Sequence, residues 1–229
     1  MQKNFQSHIA FTLAEVLITL GIIGVVAALT MPILVQNHRK QVTVNKLKKF
    51  YTNINNAIGM VEAEYGEPKN WVLNCNTTTC DYDTALKWWN DYIGKYLKTT
   101  EIKKHNDNNF LVYFEDGTIL RVETRIRDFH FYTDQKALNN PKGGVNAFMF
   151  RYNPIAYDGN ISNPNLKYAI KPTMEPYAVY WDGTRENLLS GNSTFSCDRC
   201  ITSPAAEGFC AKLIQYDGWK ISKDYPCKF

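Results

Sequence analysis

The side chains with the clearest potential for covalent chemistry are six cysteines, Cys75, Cys80, Cys197, Cys200, Cys210 and Cys227. An even number of cysteines, all outside the apolar N-terminal segment, is typical of disulfide bonds formed in an oxidising compartment. Six cysteines allow many connectivities and the sequence selects none, although the short loop from Cys75 to Cys80 is the easiest to close.

A zinc site is the alternative use of these thiols. The spacings Cys75-x4-Cys80 and Cys197-x2-Cys200 would suit four thiolate ligands, which need a reduced or metal-loaded environment. Such a site would leave the other two cysteines without a role, so we favour disulfides and expect no cofactor. No catalytic signature surrounds any cysteine, and we therefore predict no enzymatic activity.

A carboxylate beside an apolar segment is the second unusual group. Glu15 immediately precedes residues 16–35, which carry no charge. A run of about 20 apolar residues can cross a hydrocarbon layer roughly 30 Å thick. A charged side chain costs about 2.5 to 3.5 kcal/mol at the centre of a membrane helix and less near its end. Glu15 therefore requires a partner or a function.

One long helix is predicted to carry this carboxylate. Beyond the apolar run, hydrophobic residues recur at steps of three and four, which predicts an amphipathic continuation of the helix over residues 36–65. Gly21, Gly24 and Pro32 lie within the apolar part. Neighbouring helices can pack against such positions and satisfy the carbonyl that a proline leaves free, so we predict a bend and close packing there.

The stretch AFTLAEVLITLGIIGVVAALTMP resembles the processing and methylation signature of type IV pilin-like proteins, which include type II secretion pseudopilins. The resemblance implies cleavage between Ala10 and Phe11, although Ala10 stands where the family usually has glycine. It also implies methylation of the new Phe11 amine. In a filament, Glu15 of one subunit would neutralise that amine on its neighbour.

The resemblance implies a structural subunit of a type II secretion or type IV pilus-type filament. Its partners would be other pilin-like subunits, the prepilin peptidase/methyltransferase, an inner-membrane assembly platform and the lipid bilayer. The net charge of +4 argues against nucleic acid as a partner.

The implied location is the bacterial inner membrane, with a single pass and the C-terminal domain in the periplasm or outside the cell. The charges favour the opposite orientation, because only Lys3 precedes the span and several basic residues follow it. We keep the implied orientation, because the cysteines and the processing signature agree with each other. Three alternatives remain open: a cytoplasmic C-terminal domain, an ordinary signal peptide cleaved after Ala28, and an exported binding or hydrolytic domain that uses the helix only as an anchor.

The predicted organisation is a leader at residues 1–10, a transmembrane or filament-core helix at 11–35, its amphipathic continuation at 36–65 and a disulfide-containing globular domain at 66–229. We predict an α+β fold in which the helix packs on an antiparallel sheet. A helix is expected over residues 83–96, capped by Asp83. The predicted strands cover residues 110–114, 118–123, 129–132, 148–152, 167–170, 178–181 and 213–216.

Acidic turns offer a weak calcium alternative. Asp182-Gly183 and Asp217-Gly218 could supply oxygen ligands, but neither belongs to a complete calcium-binding loop. We therefore expect both to be plain turns.

Overall fold

The computed structural model describes residues 12–71, 80–154, 173–190, 195–200 and 208–229. The chain divides into two units, Met1–Lys40 and Gln41–Phe229. Helix α1, Leu13–Tyr65, supplies residues to both of them. The predicted α+β class is confirmed, since a long N-terminal helix is combined with an antiparallel sheet and disulfide bonds.

In the second unit, α1 buries one face. Its buried residues are Thr43, Val44, Leu47, Phe50, Ile54, Ala57, Ile58 and Val61. These positions follow the predicted steps of three and four, so the amphipathic continuation is confirmed. The helix ends at Tyr65, and Gly66 follows with a φ of +78°, a conformation that glycine adopts without a steric penalty.

Six antiparallel strands form one sheet, and their spatial order is their order in the sequence. The strands are β1 Thr99–Asn106, β2 Asn109–Phe114, β3 Ile119–Glu123, β4 Asp128–Tyr132, β5 Ala147–Tyr152 and β6 Met174–Pro176. The predicted hairpin of β2 and β3 is confirmed. In its turn, Gly117 has a φ of +78° and the Thr118 amide donates to Asp116 Oδ1 over 3.1 Å.

Aromatic rings join α1 to the sheet. The Phe50 ring lies 4.8 Å from the Phe131 ring and 4.9 Å from the Phe150 ring, measured between centroids. Helix α2, Tyr82–Asp91, brings Trp89 to 6.1 Å from Phe110 in the same core. Ring pairs at these separations add roughly 0.5–1.5 kcal/mol each beyond the burial of their area.

The two edges of the sheet are protected in different ways. On β6, the main chain of Met174 is covered by Asn55 of α1, whose Nδ2 donates to the Met174 carbonyl over 2.9 Å. The Asn55 Oδ1 accepts from the Met174 amide at the same distance. The outer edge of β1 instead carries the exposed charged residues Glu101, Lys103 and Lys104, a composition that discourages pairing with another strand.

The described chain contains three further short α-helices: α3 Gln135–Asn139, α4 Arg185–Ser190 and α5 Phe209–Tyr216. The predicted strand over residues 213–216 is therefore wrong, because the run belongs to α5. Cys210, Leu213 and Ile214 are buried there with helical spacing. A short apolar run does not by itself distinguish a strand from a buried helix.

Other sequence predictions need smaller corrections. Residues 178–181 form a turn, not a strand, and α2 is capped by Asp81 instead of Asp83. Helix α2 ends at Asp91, and the separate 3-10 turn Gly94–Tyr96 follows it. Strand β1 was missed because its side chains are mostly polar and exposed. The predicted strand over residues 167–170 lies outside the described residues.

Candidate functional sites

The first turn of α1 positions Glu15. Its Oε2 accepts from the Thr12 amide over 2.9 Å and from the Thr12 hydroxyl over 2.8 Å. In return, the Glu15 amide donates to Thr12 Oγ1 over 3.3 Å. This reciprocal arrangement is a capping box, which satisfies free donors at a helix start. Ala10 and Phe11, the predicted cleavage and methylation residues, lie outside the described residues.

The α1 segment that follows Glu15 is apolar on all sides. It is long and apolar enough to cross a membrane, and none of its most apolar stretch is buried. In the part of the chain that the structure describes, nothing lies within 4 Å of a Cβ placed at Gly21 or Gly24. Pro32 lies inside the helix. These predicted packing positions are therefore open on the single chain.

Some of the basic residues that follow the span have partners in the second unit. Lys46 Nζ donates to the Thr133 carbonyl over 2.7 Å, and Lys49 Nζ lies 2.9 Å from Asp116 Oδ2. These contacts fix the polar flank of α1 against the sheet. The Lys49 pair is more than half exposed on the lysine side, and such a pair contributes only about 0–1 kcal/mol.

The five described cysteines form disulfides, as predicted. Cys197 is bonded to Cys210 with Cα atoms 4.7 Å apart, and Cys200 is bonded to Cys227 with Cα atoms 5.3 Å apart. Because Cys197 and Cys200 are both disulfide-bonded, their sulfurs are not available as the thiolate ligands of the alternative zinc site. Cys80 is also disulfide-bonded, and its predicted partner Cys75 lies outside the described residues.

The two disulfides lie side by side in the core. The Sγ atoms of Cys197, Cys210 and Cys227 are all within 4.8 Å of one another, and all three residues are buried. A Cβ placed at Gly144 would lie 2.7 Å from the sulfurs of both Cys210 and Cys227. Gly144 has a φ of +71°, so two separate constraints favour glycine there.

The acidic turns have partners of their own. Asp217 accepts from Arg185 Nε over 2.6 Å and from Arg185 Nη2 over 2.8 Å, and Asp224 accepts from the same guanidinium over 2.8 Å and 3.0 Å. Arg185 lowers the pKa of both carboxyls. Asp182 Oδ1 accepts from the Thr184 amide over 2.8 Å. Arg185 therefore occupies the carboxylate oxygens of Asp217 that a calcium ion would need.

A groove of about 290 Å³ lies on the second unit between α1 and the β2–β3 turn. Its lining includes Phe50, Met60 and Leu97 together with the Lys49–Asp116 ion pair. Histidine and cysteine do not occur among the residues that line it.

One buried histidine lies on the sheet. His130 is 2 % exposed, and its Nε2 is 3.8 Å from Glu123 Oε1. Burial lowers the pKa of His130, so the ring is neutral near pH 7.

A family model covers these groups except for those in the first part of α1, from Thr12 to Pro32. It matches residues 33–229 and is described as a family of unknown function, DUF6613. The chain belongs to this family. The matched region begins inside α1, directly after Pro32, and includes the sheet, the disulfides and the groove. No curated protein and no solved structure matches the chain.

Sequence reasoning missed four residues that position these groups: Thr12, Asn55, Gly144 and Arg185. The Thr12 signal was available, because Thr-x-x-Glu before an apolar run is the pattern of a capping box. The other three act on residues far away in the sequence, so no local pattern indicates them.

Proposed function

We propose that this chain is a non-enzymatic, pilin-like filament subunit of the type II secretion or type IV pilus kind. Cleavage between Ala10 and Phe11, followed by methylation of the Phe11 amine, would expose α1 as the assembly segment. The prepilin peptidase/methyltransferase, an inner-membrane assembly platform and further pilin-like subunits would be its partners. The chain would reside in the inner membrane with its C-terminal domain outside the cytoplasm.

One observation carries the proposal beyond the signature. The apolar part of α1 is unburied throughout, although the same helix buries a complete stripe farther along. Large apolar side chains exposed on every face of a helix require an apolar environment. Lipid provides it before assembly, and the equivalent helices of neighbouring subunits provide it afterwards.

Glu15 would have two roles, as a helix cap in the single chain and as a charge in the filament. A substitution can separate these two roles. In the single chain its carboxylate caps Thr12. In a filament the proposal assigns its charge to the methylated amine of a neighbour's Phe11. An amide oxygen can cap a helix in the same way, since glutamine also occurs at this position of capping boxes, but it cannot neutralise an ammonium group.

The matched variants Glu15→Gln and Thr12→Ala therefore test the proposal. Glu15→Gln keeps the cap and removes the charge, so we expect stable, membrane-bound protein that fails to enter filaments. Thr12→Ala removes the hydroxyl of the cap and keeps the charge, so filaments should still form. The readout is sheared-filament yield against membrane-bound protein. Normal assembly of Glu15→Gln would refute the assigned role of the charge.

Intact mass and N-terminal sequencing of protein from its native membrane test processing. The proposal expects a chain that begins with methylated Phe11. A chain that begins at Leu29 would instead indicate an ordinary signal peptide. An unprocessed chain that stays in the membrane and never enters filaments would favour an anchored binding or hydrolytic domain.

A further inference from the structure

The face of the sheet that is turned away from α1, here called the outer face, has a histidine at its centre. Phe131 of β4 packs against Phe50 of α1, and the preceding residue of the strand, His130, therefore points to the outer face. Directly opposite His130 in the neighbouring strands are Arg121 of β3 and Met149 of β5. His130 is only 2 % exposed, so this polar ring lies in a covered part of the face.

Three side chains of the outer face carry buried nitrogen atoms that have no hydrogen-bond partner. These atoms are Arg121 Nε, His130 Nδ1 and Arg151 Nε. Arg151 follows Met149 by two residues on β5 and therefore lies on the same face. Buried polar atoms of native proteins nearly always have a partner, and a bound ion or water explains many of the exceptions. Three such atoms on adjacent strands of one face point to a shared ligand.

The ring of His130 is able to donate a proton to such a ligand. Its Nε2 lies 3.8 Å from Glu123 Oε1, which is beyond hydrogen-bonding distance. A neutral imidazole carries one N–H, and no hydrogen bond holds that proton on Nε2. His130 can therefore present an N–H at Nδ1, the buried nitrogen that has no partner.

The charge of the cluster favours an anion over a water molecule. The cluster contains four arginines and two carboxylates: Arg121, Arg125, Arg127, Arg151, Glu123 and Asp128. Arg151 Nη1 and Arg127 Nε each donate to Asp128 over 3.2 Å. The Arg125 guanidinium donates to Glu123 over 2.9 Å. Both carboxylates are thus neutralised, and the cluster keeps an excess of two positive charges.

Arg121 is the cation of this cluster that lacks a counterion. Among the described residues it has neither a hydrogen bond nor an ion pair. Burial, and to a smaller extent the positive charge of Arg121, lowers the pKa of His130, so the guanidinium lies close to the ring. Taking a charge out of water without a partner is costly. Because Arg121 is itself only partly buried, a ligand can reach it from solvent.

The donors fit a tetrahedral oxyanion better than a carboxylate. A guanidinium presents two parallel N–H bonds, which match two oxygens of a carboxylate or a phosphate. His130 Nδ1 and Arg151 Nε add donors from two further strands. A carboxylate has only two oxygens to share among them, whereas a phosphate group offers a third.

We propose that the outer face binds one phosphate group, with Arg121 as its main ligand and with His130 Nδ1 and Arg151 Nε as further donors. Free phosphate and the phosphate of a lipid headgroup share this chemistry. The site lies wholly in the second unit, so it does not depend on the role proposed for the first part of α1.

Isothermal titration calorimetry of the full chain tests this site. The protein is kept in a non-ionic detergent at pH 7 without phosphate, and inorganic phosphate and glycerol 3-phosphate are titrated separately. We expect one site per chain with a dissociation constant below about 1 mM. Tighter binding of glycerol 3-phosphate would assign the site to a lipid headgroup, and tighter binding of inorganic phosphate would assign it to the free ion. Binding of neither compound would overturn the proposal.

Variants of equal charge separate a built site from general attraction. Arg121→Gln removes the charge and the fork of N–H donors, so phosphate should bind about tenfold more weakly or worse. Arg121→Lys keeps the charge without the fork and should restore only part of the affinity. Lys104→Gln removes the same charge from an exposed position of β1 and should bind within about twofold of the parent. Equal affinity of Arg121→Gln and Lys104→Gln would mean an adventitious ion only.

A spectroscopic measurement keeps the test decisive if Arg121→Gln does not fold. In the parent protein, saturating phosphate should shift the Nδ1 nitrogen resonance of His130, because that atom gains a hydrogen-bond partner. The exposed His105 should show no comparable shift. An unchanged His130 resonance at saturating phosphate would overturn the proposal.

Discussion

The two parts of helix α1 share one backbone geometry and differ in what surrounds their apolar side chains. In the first unit, Ile18 is 62 % exposed and Val25 is also 62 % exposed. In the second unit, Leu47 and Ile54 are completely buried. The first part is apolar on every face, whereas the second part is apolar only on the face that packs against the domain.

This difference indicates that the two parts of the helix suit different environments. A one-sided stripe is sufficient when a folded domain covers it, and the remaining face can stay polar. An all-round apolar surface has no such cover in the described chain, and it matches a lipid or a bundle of equal helices. The comparison therefore predicts that the same kind of substitution has a large effect in one part and almost none in the other.

The largest effect is expected from paired isoleucine truncations. Ile54→Ala should lower the free energy of unfolding of the globular domain by about 2–5 kcal/mol, because it removes a fully buried side chain from a packed core. Ile18→Ala should leave that quantity within about 0.5 kcal/mol. Denaturant unfolding in detergent, followed by tryptophan fluorescence, measures both. Equal destabilisation would remove the distinction between the two parts.

A paired charge insertion tests the environment of the first part. Lysine at position 25 places a charge near the middle of the span, which costs about 2.5–3.5 kcal/mol on membrane-insertion scales. Val25→Lys should therefore reduce membrane retention after an alkaline wash. Val42→Lys changes another exposed valine beyond the span and should have no effect. Retention of Val25→Lys at the parental level would mean that this segment is not in lipid.

Asparagine variants test whether the second part of α1 also stabilises the edge strand β6 through hydrogen bonds. Asn55→Ala removes both hydrogen bonds to the Met174 main chain, and we expect a loss of about 1–3 kcal/mol in unfolding free energy. Asn56→Ala, on an exposed neighbouring position, is the control and should change stability by less than about 0.5 kcal/mol. Amide hydrogen exchange at β6 should accelerate only in the Asn55 variant.

The smallest predicted effect is on how steeply the stability of the protein falls at alkaline pH. Burial, and then the charge of Glu175, raises the pKa of Tyr51, whose hydroxyl donates to Glu175 over 2.9 Å. A raised folded-state pKa gives stability that is complete below about pH 10, the unfolded value, and is lost as the pH rises above it. Tyr51→Phe should lose about 1 kcal/mol at pH 7. Its stability should then fall less steeply than the parent's from pH 9 upwards.

Tyr216→Phe, which changes a half-exposed tyrosine, is the control for that titration. Other buried tyrosines contribute in the same direction, since burial also raises the pKa of Tyr177 to about 12. Only the share that belongs to Tyr51 should disappear in the variant. An identical alkaline slope in the Tyr51 variant and the parent would contradict this account of the hydroxyl.

Local patterns in the sequence were sufficient to predict much of this fold. The α1 stripe, the β2–β3 hairpin with its Asp-Gly turn, and the disulfide chemistry all follow from residues that are near one another or from composition. Hydrophobic periodicity and turn chemistry are local signals. The predictions based on them are correct where the element is long or strongly patterned.

The errors arose where distant residues decide the structure. Residues 213–216 have the composition of a strand, but α5 is formed because Leu213 and Ile214 pack in the core with Cys210 on a helical face. Strand β1 is polar and is held by its pairing with β2. The disulfide pairing could not be predicted either, because it depends on how the chain brings the Cys197–Arg199 turn to α5 and the C-terminus.

The order of the sheet has a consequence for how the chain folds. Every strand pairs with the strand that precedes or follows it in the sequence, so each newly available strand finds its partner already in place. Pairings between near neighbours close short loops, which favours rapid folding. A chain delivered from its N-terminus can thus extend the sheet one strand at a time. The two disulfides of Cys197, Cys200, Cys210 and Cys227 join residues that all follow β6 in the sequence, so these bonds secure a sheet whose strands are already available.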